Sequence, residues 1–242
     1  VLALGAVGAV PGSIGVVEGG TIPYQPWAAA QKKDNAEHWL DRDPEVKCFL
    51  AGIPRSMYLP HPFQITQGKN KIEMVFSYNS SGRTINLEKT EPLPDDAYNG
   101  FSVGRWEGDT LVTDVTGFNG KTWFDRSGNF SSDALHVVER FTPIGNINDM
   151  LALQYEATIE DPKVLTRPFK ISMPLYRRVE PNAQLLEFRC IEFVEELAFG
   201  HLRRQPLVKH WEGPTMSVDI TRKVPKEEDL LYQRDYVMPP RQ

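Results

Sequence analysis

The stretch FSVGRWEGDTLVTDVT, Phe101 to Thr116, decides how the fold is read, because it alternates like two strands yet carries charge on both sides of a turn. Placing Gly108 and Asp109 in a two-residue type II′ turn pairs Glu107 with Thr110, Arg105 with Val112 and Val103 with Asp114. Side chains alternate across a strand, so one face carries Phe101, Val103, Arg105, Glu107, Val112, Asp114 and Thr116. The other carries Trp106, Leu111, Thr113 and Val115. Arg105 and Asp114 become diagonal neighbours, about 7 to 8 Å apart at the backbone. The charged face suits the interior of a barrel that binds something polar, and it suits equally an outer face laced with ion pairs.

The flanking sequence repeats the strand and turn pattern. FQITQ precedes KIEMVFSYN, whose Ile72, Met74, Phe76 and Tyr78 share a face, and NSSG turns the chain into RTINLEK. ALHVVERFTP turns at GNIND into MLALQYEATIE, and RPFKISMPLYRRV is joined through EPNA to QLLEFRCIEF. About eight or nine strands, each beside its sequence neighbour, predict an all-β fold: a single antiparallel up-and-down barrel of lipocalin-like type. Residues 1–61 read as an N-terminal arm and a partly helical prelude packed on the barrel, 62–196 as the barrel, and 197–242 as a C-terminal extension of the same domain. Pro26 opens the short helix predicted in WAAAQKKDNAEHWL.

The chain has 242 residues, and its 27 basic and 32 acidic side chains give a net charge of -5 without long blocks of one sign. Nucleic-acid phosphates and anionic membranes both require a basic stripe that is missing here. Nineteen prolines and 18 glycines punctuate the short strands. With Cys48 and Cys190 alone, neither a thiolate zinc site nor a disulfide-dense scaffold can be built. The two form either one bridge, closing a loop of roughly 140 residues and worth about 4 to 5 kcal/mol in chain entropy, or two buried thiols. In VLALGAVGAVPGSIGVV the glycines and Pro11 break any helix before it reaches the ~20 residues of a membrane span. That segment reads as an extended arm of a chain that begins inside a longer precursor, able to add to the sheet edge of a second copy and so form a homo-oligomer.

Chemistry points to a small set of side chains. In SDALHVVERF the Val137–Val138 pair favours a strand, which puts His136 on the face opposite Glu139 and beside Val138 and Arg140. Histidine titrates near neutrality, so His136 is the candidate proton-transfer group, with Asp114 or Glu107 as a second carboxylate. Arg105, Arg140 and Arg126 are candidates to orient an anionic or oxygen-rich substrate. The long loop Thr116–Asp133 carries Trp123, Asp125 and Arg126 and reads either as a lid over a barrel mouth or as a solvated crossover with an aromatic anchor. His61, between two prolines in LPHPF, reads as part of an extended connection. Five histidines without paired ligand spacing give no metal site, and neither a phosphate loop nor a nucleophile elbow is present. The expectation is a cofactor-independent acid/base enzyme of lyase, isomerase or hydrolase type acting on a small organic molecule. Its alternatives are a non-catalytic small-molecule carrier and a structural protein assembled through the N-terminal arm.

GRWEGDTLVTDVTGF, SSDALHVVERF and ATIEDPKVLTRPF, with GGTIPYQPWA and PHPFQI upstream, resemble a widespread family of uncharacterised bacterial proteins that typically carry export signals. The likeness runs from about Gly15 to Glu196. It implies an exported, periplasmic or secreted, β-rich protein and supplies no catalytic residue. The Trp-Glu-Gly turn is similar to that of lipocalin-like barrels.

Overall fold

A computed structural model of the chain describes residues 21–194 apart from 89, 93, 148, 149 and 179, so the N-terminal arm and the C-terminal extension lie outside the described residues. Eight strands form one sheet: β1 Phe63–Gln67, β2 Lys71–Phe76, β3 Gly82–Asn86, β4 Phe101–Glu107, β5 Thr110–Thr116, β6 His136–Ile147, β7 Met150–Glu160 and β8 Phe169–Tyr176. They lie side by side in sequence order and curl into an open half-barrel. Before them come a helix α1, Pro26–Glu37, with Pro26 in its first turn, a single helical turn α2, Trp39–Arg42, and a short 3-10 turn at Arg55–Met57.

The β4–β5 hairpin adopts the register read from sequence, with Val103 opposite Asp114, Arg105 opposite Val112 and Glu107 opposite Thr110. Gly108 has φ +60° and Asp109 does not, as a type II′ turn demands. Leu111, Thr113 and Val115 are buried on the concave face, whereas Arg105, Glu107 and Thr116 are exposed. The charged face of the hairpin is therefore the outer one.

Three features depart from a closed antiparallel barrel. First, β3 and β4 run parallel, pairing Ile85 with Ser102 and Asn86 with Val103. The connection between them is too long and too rich in proline for a tight hairpin, so it carries the chain back to the end from which β3 began. Second, residues 184–193 do not form a strand against β8. Phe188 makes an isolated parallel bridge to Tyr78, and its amide donates to the Ser77 carbonyl at 2.8 Å. The Asn79 carboxamide receives the Cys190 amide, and Cys190 is disulfide-bonded to Cys48. These anchors draw the segment away from β8 and across to the end of β2. Third, β1 and β8 are the two edges of the sheet and leave a seam between them.

The concave face is filled. Met74 and Phe76 of β2, Ile85 of β3, Phe141 of β6, Tyr155 of β7 and Ile171 of β8 form one core with Ala28 of α1 and with Ile53, Met57 and Tyr58. Helix α1 and the segment around Ile53–Tyr58 thus pack against the concave face of the sheet. Gly128 lets the β5–β6 loop touch α1, because a Cβ there would lie 2.5 Å from the Lys32 carbonyl oxygen and its φ is +82°.

Within this core sits an ion pair. Both terminal guanidinium nitrogens of Arg83 reach the two carboxylate oxygens of Glu139, Nη1 at 3.1 Å, while Nε donates to Ser102 Oγ at 2.9 Å. Tyr155 donates its hydroxyl to Glu139 Oε1 at 2.9 Å. Burial first, then the Glu139 charge, push the Tyr155 phenol far above its ordinary range, so it remains a donor. Removing one partner of such a pair leaves a buried charge uncompensated, at a cost of about 3 to 5 kcal/mol, whereas replacing both by apolar groups costs much less. Glu139→Leu should therefore lower the urea midpoint by an amount matching that range, and the double variant Arg83→Met/Glu139→Leu should recover most of it. Additive losses in the double variant would refute the pairing energetics.

Candidate functional site

The outer face brings several predicted residues together. Register places Asp114 of β5, His136 of β6 and Glu160 of β7 side by side, since His136 opposes Glu160 and Asp114 opposes Val138. The His136 ring contacts Asp114 Oδ1 through Nε2 at 3.1 Å and Glu160 Oε2 through Nδ1 at 3.4 Å. Next to this trio, Glu107 accepts from Arg105 Nη2 at 2.8 Å and from Arg140 Nη1 at 2.9 Å. Hydrogen bonding by Arg140 first, and by Arg105 second, holds the Glu107 carboxyl below its ordinary range. Arg105 thus folds back onto Glu107 while Asp114, its diagonal neighbour, engages His136. All six side chains are partly or fully exposed on the open face of the sheet.

The loop residues go elsewhere. Trp123 is buried against Trp39, Leu40 and Val46. Asp125 organises its own loop, accepting from the Ser127 amide at 2.8 Å and from Asn129 Nδ2 at 2.8 Å. Arg126 reaches back to the prelude, its Nε 3.0 Å from Glu45 Oε2. The loop Thr116–Asp133 is thus a packed crossover whose aromatic residues Trp123 and Phe124 are core. No group of three His, Cys, Asp or Glu side chains among the described residues is placed to hold a metal ion.

Two clefts lie apart from the outer charged face. The larger, of about 880 Å³, occupies the seam between β1 and the paired ends of β7 and β8. Phe63 and Ile65 of β1 and Leu153 and Leu175 of the opposite wall face into it, and Leu153 directly opposes Leu175. Alternation explains the apolar lining, because these four lie on the same concave face as Met74, Tyr155 and Met173. Arg177 and Arg178 stand at its edge. Arg178 pairs with Glu180 at 3.3 Å, whereas Arg177 has no ion-pair partner among the described residues.

No family model, curated protein or solved structure matches the chain.

The smaller cleft, of about 290 Å³, lies between the prelude, the loop around Arg126 and the segment 188–194. His61 forms one wall, its ring stacked on Phe188 at 4.1 Å between centroids. Behind it, Arg55 holds Asp43 through two hydrogen bonds of 2.7 and 2.9 Å and Glu45 through one of 3.3 Å. Burial works against the Arg55 charge, but Asp43 and then Glu45 outweigh it and keep the guanidinium protonated.

Sequence reading missed Glu160, Glu45, Arg177 and the role of His61. Glu160 lies directly opposite His136, but a bulge at Pro143–Gly145 shifts the β6–β7 register, so counting from the turn would have placed Asp161 there. Glu45 and His61 converge only through packing of irregular segments, for which the sequence offers no period.

Burial lowers the His61 pKa, with the Glu45 charge opposing that shift. The unfolded histidine therefore binds its proton at a higher pH than the folded one. Its contribution to stability is complete above the ordinary value of about 6.5 and is lost as pH falls through the folded pKa. The melting temperature of the wild type should fall more steeply between pH 7 and 5 than that of His61→Phe, which keeps a ring and cannot titrate. Parallel profiles from differential scanning calorimetry would contradict this.

Proposed function

We propose that the protein binds a small amphiphile, with an apolar body lying in the seam cleft and an anionic head group against Arg177. The observation that carries this reading is the 880 Å³ cleft at the seam, lined on both walls by concave-face apolar side chains and edged by an arginine without a described partner. Its volume falls in the range of about 300 to 1,000 Å³ usual for small-molecule sites, which are mostly apolar with a few placed polar groups. The centre of the half-barrel is occupied by packed side chains, so a ligand held on the concave side lies at the seam. A carrier role outside the cytoplasm agrees with the Cys48–Cys190 disulfide and with the exported family that the motifs resemble.

A second reading keeps acid/base catalysis on the outer face, and the observation favouring it is His136 set between Asp114 and Glu160, with Arg140 nearby on the same strand. A carboxylate on one ring nitrogen fixes the orientation of the imidazole. This arrangement supplies proton transfer to a substrate bound across β5–β7, and loss of turnover in His136→Gln is the outcome it requires.

For the carrier reading, dodecanoate is the probe. Titration calorimetry should show binding that is weakened three- to tenfold in Arg177→Ala, the loss of one exposed charge-assisted hydrogen bond, and abolished in Ile65→Trp, which fills the cleft from an exposed edge position. Dodecanol should bind the wild type no better than dodecanoate binds Arg177→Ala. Binding that ignores both substitutions would sink the assignment.

A further inference from the structure

Strand β1 is an edge of the sheet, and the alternation of its hydrogen bonds fixes which backbone groups face the seam. In an antiparallel ladder, residues bonded to the neighbouring strand alternate with residues whose N–H and C=O point the other way. Before β1 the Ser77 amide donates to the Pro62 carbonyl at 2.9 Å, and after it the Gly68 amide donates to the Lys71 carbonyl at 2.8 Å. Phe76, which opposes Phe63, donates its amide to the Ser81 carbonyl at 2.8 Å and so is turned away from β1. The register therefore bonds Gln64 and Thr66 to β2 and turns the N–H and C=O of Phe63, Ile65 and Gln67 outward. No described strand pairs with β1 on that side.

Two of these three residues, Phe63 and Ile65, line the seam cleft. Ile65 is 43% exposed. An alkyl chain laid along this wall covers both side chains, but it also strips water from their backbone groups, and a peptide group desolvated without a partner is costly. A ligand that carries its own donor and acceptor at strand spacing removes that penalty. In an antiparallel pair one residue presents its N–H and its own carbonyl oxygen to a single residue opposite. The amide N–H and the carboxylate of an extended N-acyl α-amino acid stand in the same relation. A fatty acid supplies the acceptor alone. Sheet edges recognise extended peptides through such main-chain bonds, and the apolar walls of the seam suit an acyl chain in place of further residues.

We infer that the amphiphile of the seam is an N-acyl α-amino acid. Its acyl chain lies between Phe63, Ile65, Leu153 and Leu175, and its amide N–H donates to the carbonyl of Phe63 or Ile65. Its carboxylate accepts from the N–H of that same residue and faces Arg177. The inference rests on the seam as the ligand site and adds the chemistry that joins tail to head.

The test uses the full chain with its disulfide intact and four probes: N-dodecanoylglycine, its N-methyl analogue N-dodecanoylsarcosine, its homologue N-dodecanoyl-β-alanine, and dodecanoate. In titration calorimetry N-dodecanoylglycine should bind at least about fivefold more tightly than the N-methyl analogue, which lacks the donor, leaving an edge carbonyl unpaired. It should exceed the homologue, whose carboxylate lies one carbon too far along, by a similar factor. Amide hydrogen exchange followed by NMR should slow at Phe63 or Ile65 when N-dodecanoylglycine is added, and stay unchanged at Gln67, which faces the same edge outside the cleft. Equal binding of the three acyl amides, or exchange slowed at neither Phe63 nor Ile65, would overturn the inference; dodecanoate binding that depends on Arg177 would then leave the carrier reading standing. If neither dodecanoate nor N-dodecanoylglycine binds, the carrier reading falls and the inference falls with it. The comparison of acyl amides and the exchange measurement are made on the wild type, so no outcome depends on the folding of a variant.

Discussion

The Arg83–Glu139 pair sets the terms for the rest of the fold. Arg83 stands on β3 and Glu139 on β6, with β4 and β5 between them, so a direct bidentate contact requires the sheet to curl and bring its concave face together. Ser102 on β4 and Tyr155 on β7 complete the network, which thereby links four of the eight strands through side chains alone. Two opposite charges this deeply buried are tolerated because every arm of the guanidinium and both carboxylate oxygens find partners. The same network fills the centre of the half-barrel. A ligand cavity of the kind found in a closed, hollow barrel has no room there, and the larger cleft lies where the sheet fails to close.

That constraint sorts the charged residues by purpose. Charge on the concave face is paired, buried and structural, as in Arg83 and Glu139. Charge on the outer face, from Arg105 through Glu107 to Arg140 and from Asp114 through His136 to Glu160, forms a solvated lattice of cross-strand contacts. Pairs of this exposure contribute little to stability. Their arrangement is better explained by the alternation of the hairpin register, which placed every charged residue of β4 and β5 on one side, than by any demand of folding.

The sequence made the sheet legible and left the clefts dark, for a physical reason. Alternation of period two over Ile72–Phe76 and Phe169–Leu175 is a local signal, and together with the turn residues such signals marked the eight strands and the β4–β5 register. The placement of His136 and Glu139 on opposite faces of β6 followed from strand alternation. Closure of the sheet is not local: it depends on whether β1 meets β8, and no pattern within either strand records that. The parallel β3–β4 pairing was hidden for a similar cause, because the residues between 87 and 100 read only as turns. QLLEFRCIEF has the composition of a strand, yet a disulfide and the Ser77 and Asn79 contacts outweigh its propensity and hold it elsewhere. The loop of Trp123 and Asp125 reads from sequence either as a lid or as a crossover with an aromatic anchor, and in space Trp123 packs against Trp39, Leu40 and Val46 while Asp125 organises the loop.

The segment after β8 joins these themes. Arg177, Arg178 and residues 183–185 form one wall of the seam cleft, and residues 188–194 form one wall of the smaller cleft. Between them the chain is held by the hydrogen bonds of Phe188 to Ser77 and Asn79 and by the covalent bond from Cys190 to Cys48. The segment lacks a ladder of its own, so its position is fixed by those few anchors instead of by regular pairing. A strand paired along β8 would have covered the seam and emptied the second pocket of its aromatic wall. Because the disulfide draws this stretch across to β2 instead, the half-barrel stays open and two separate cavities come to share one wall-forming segment.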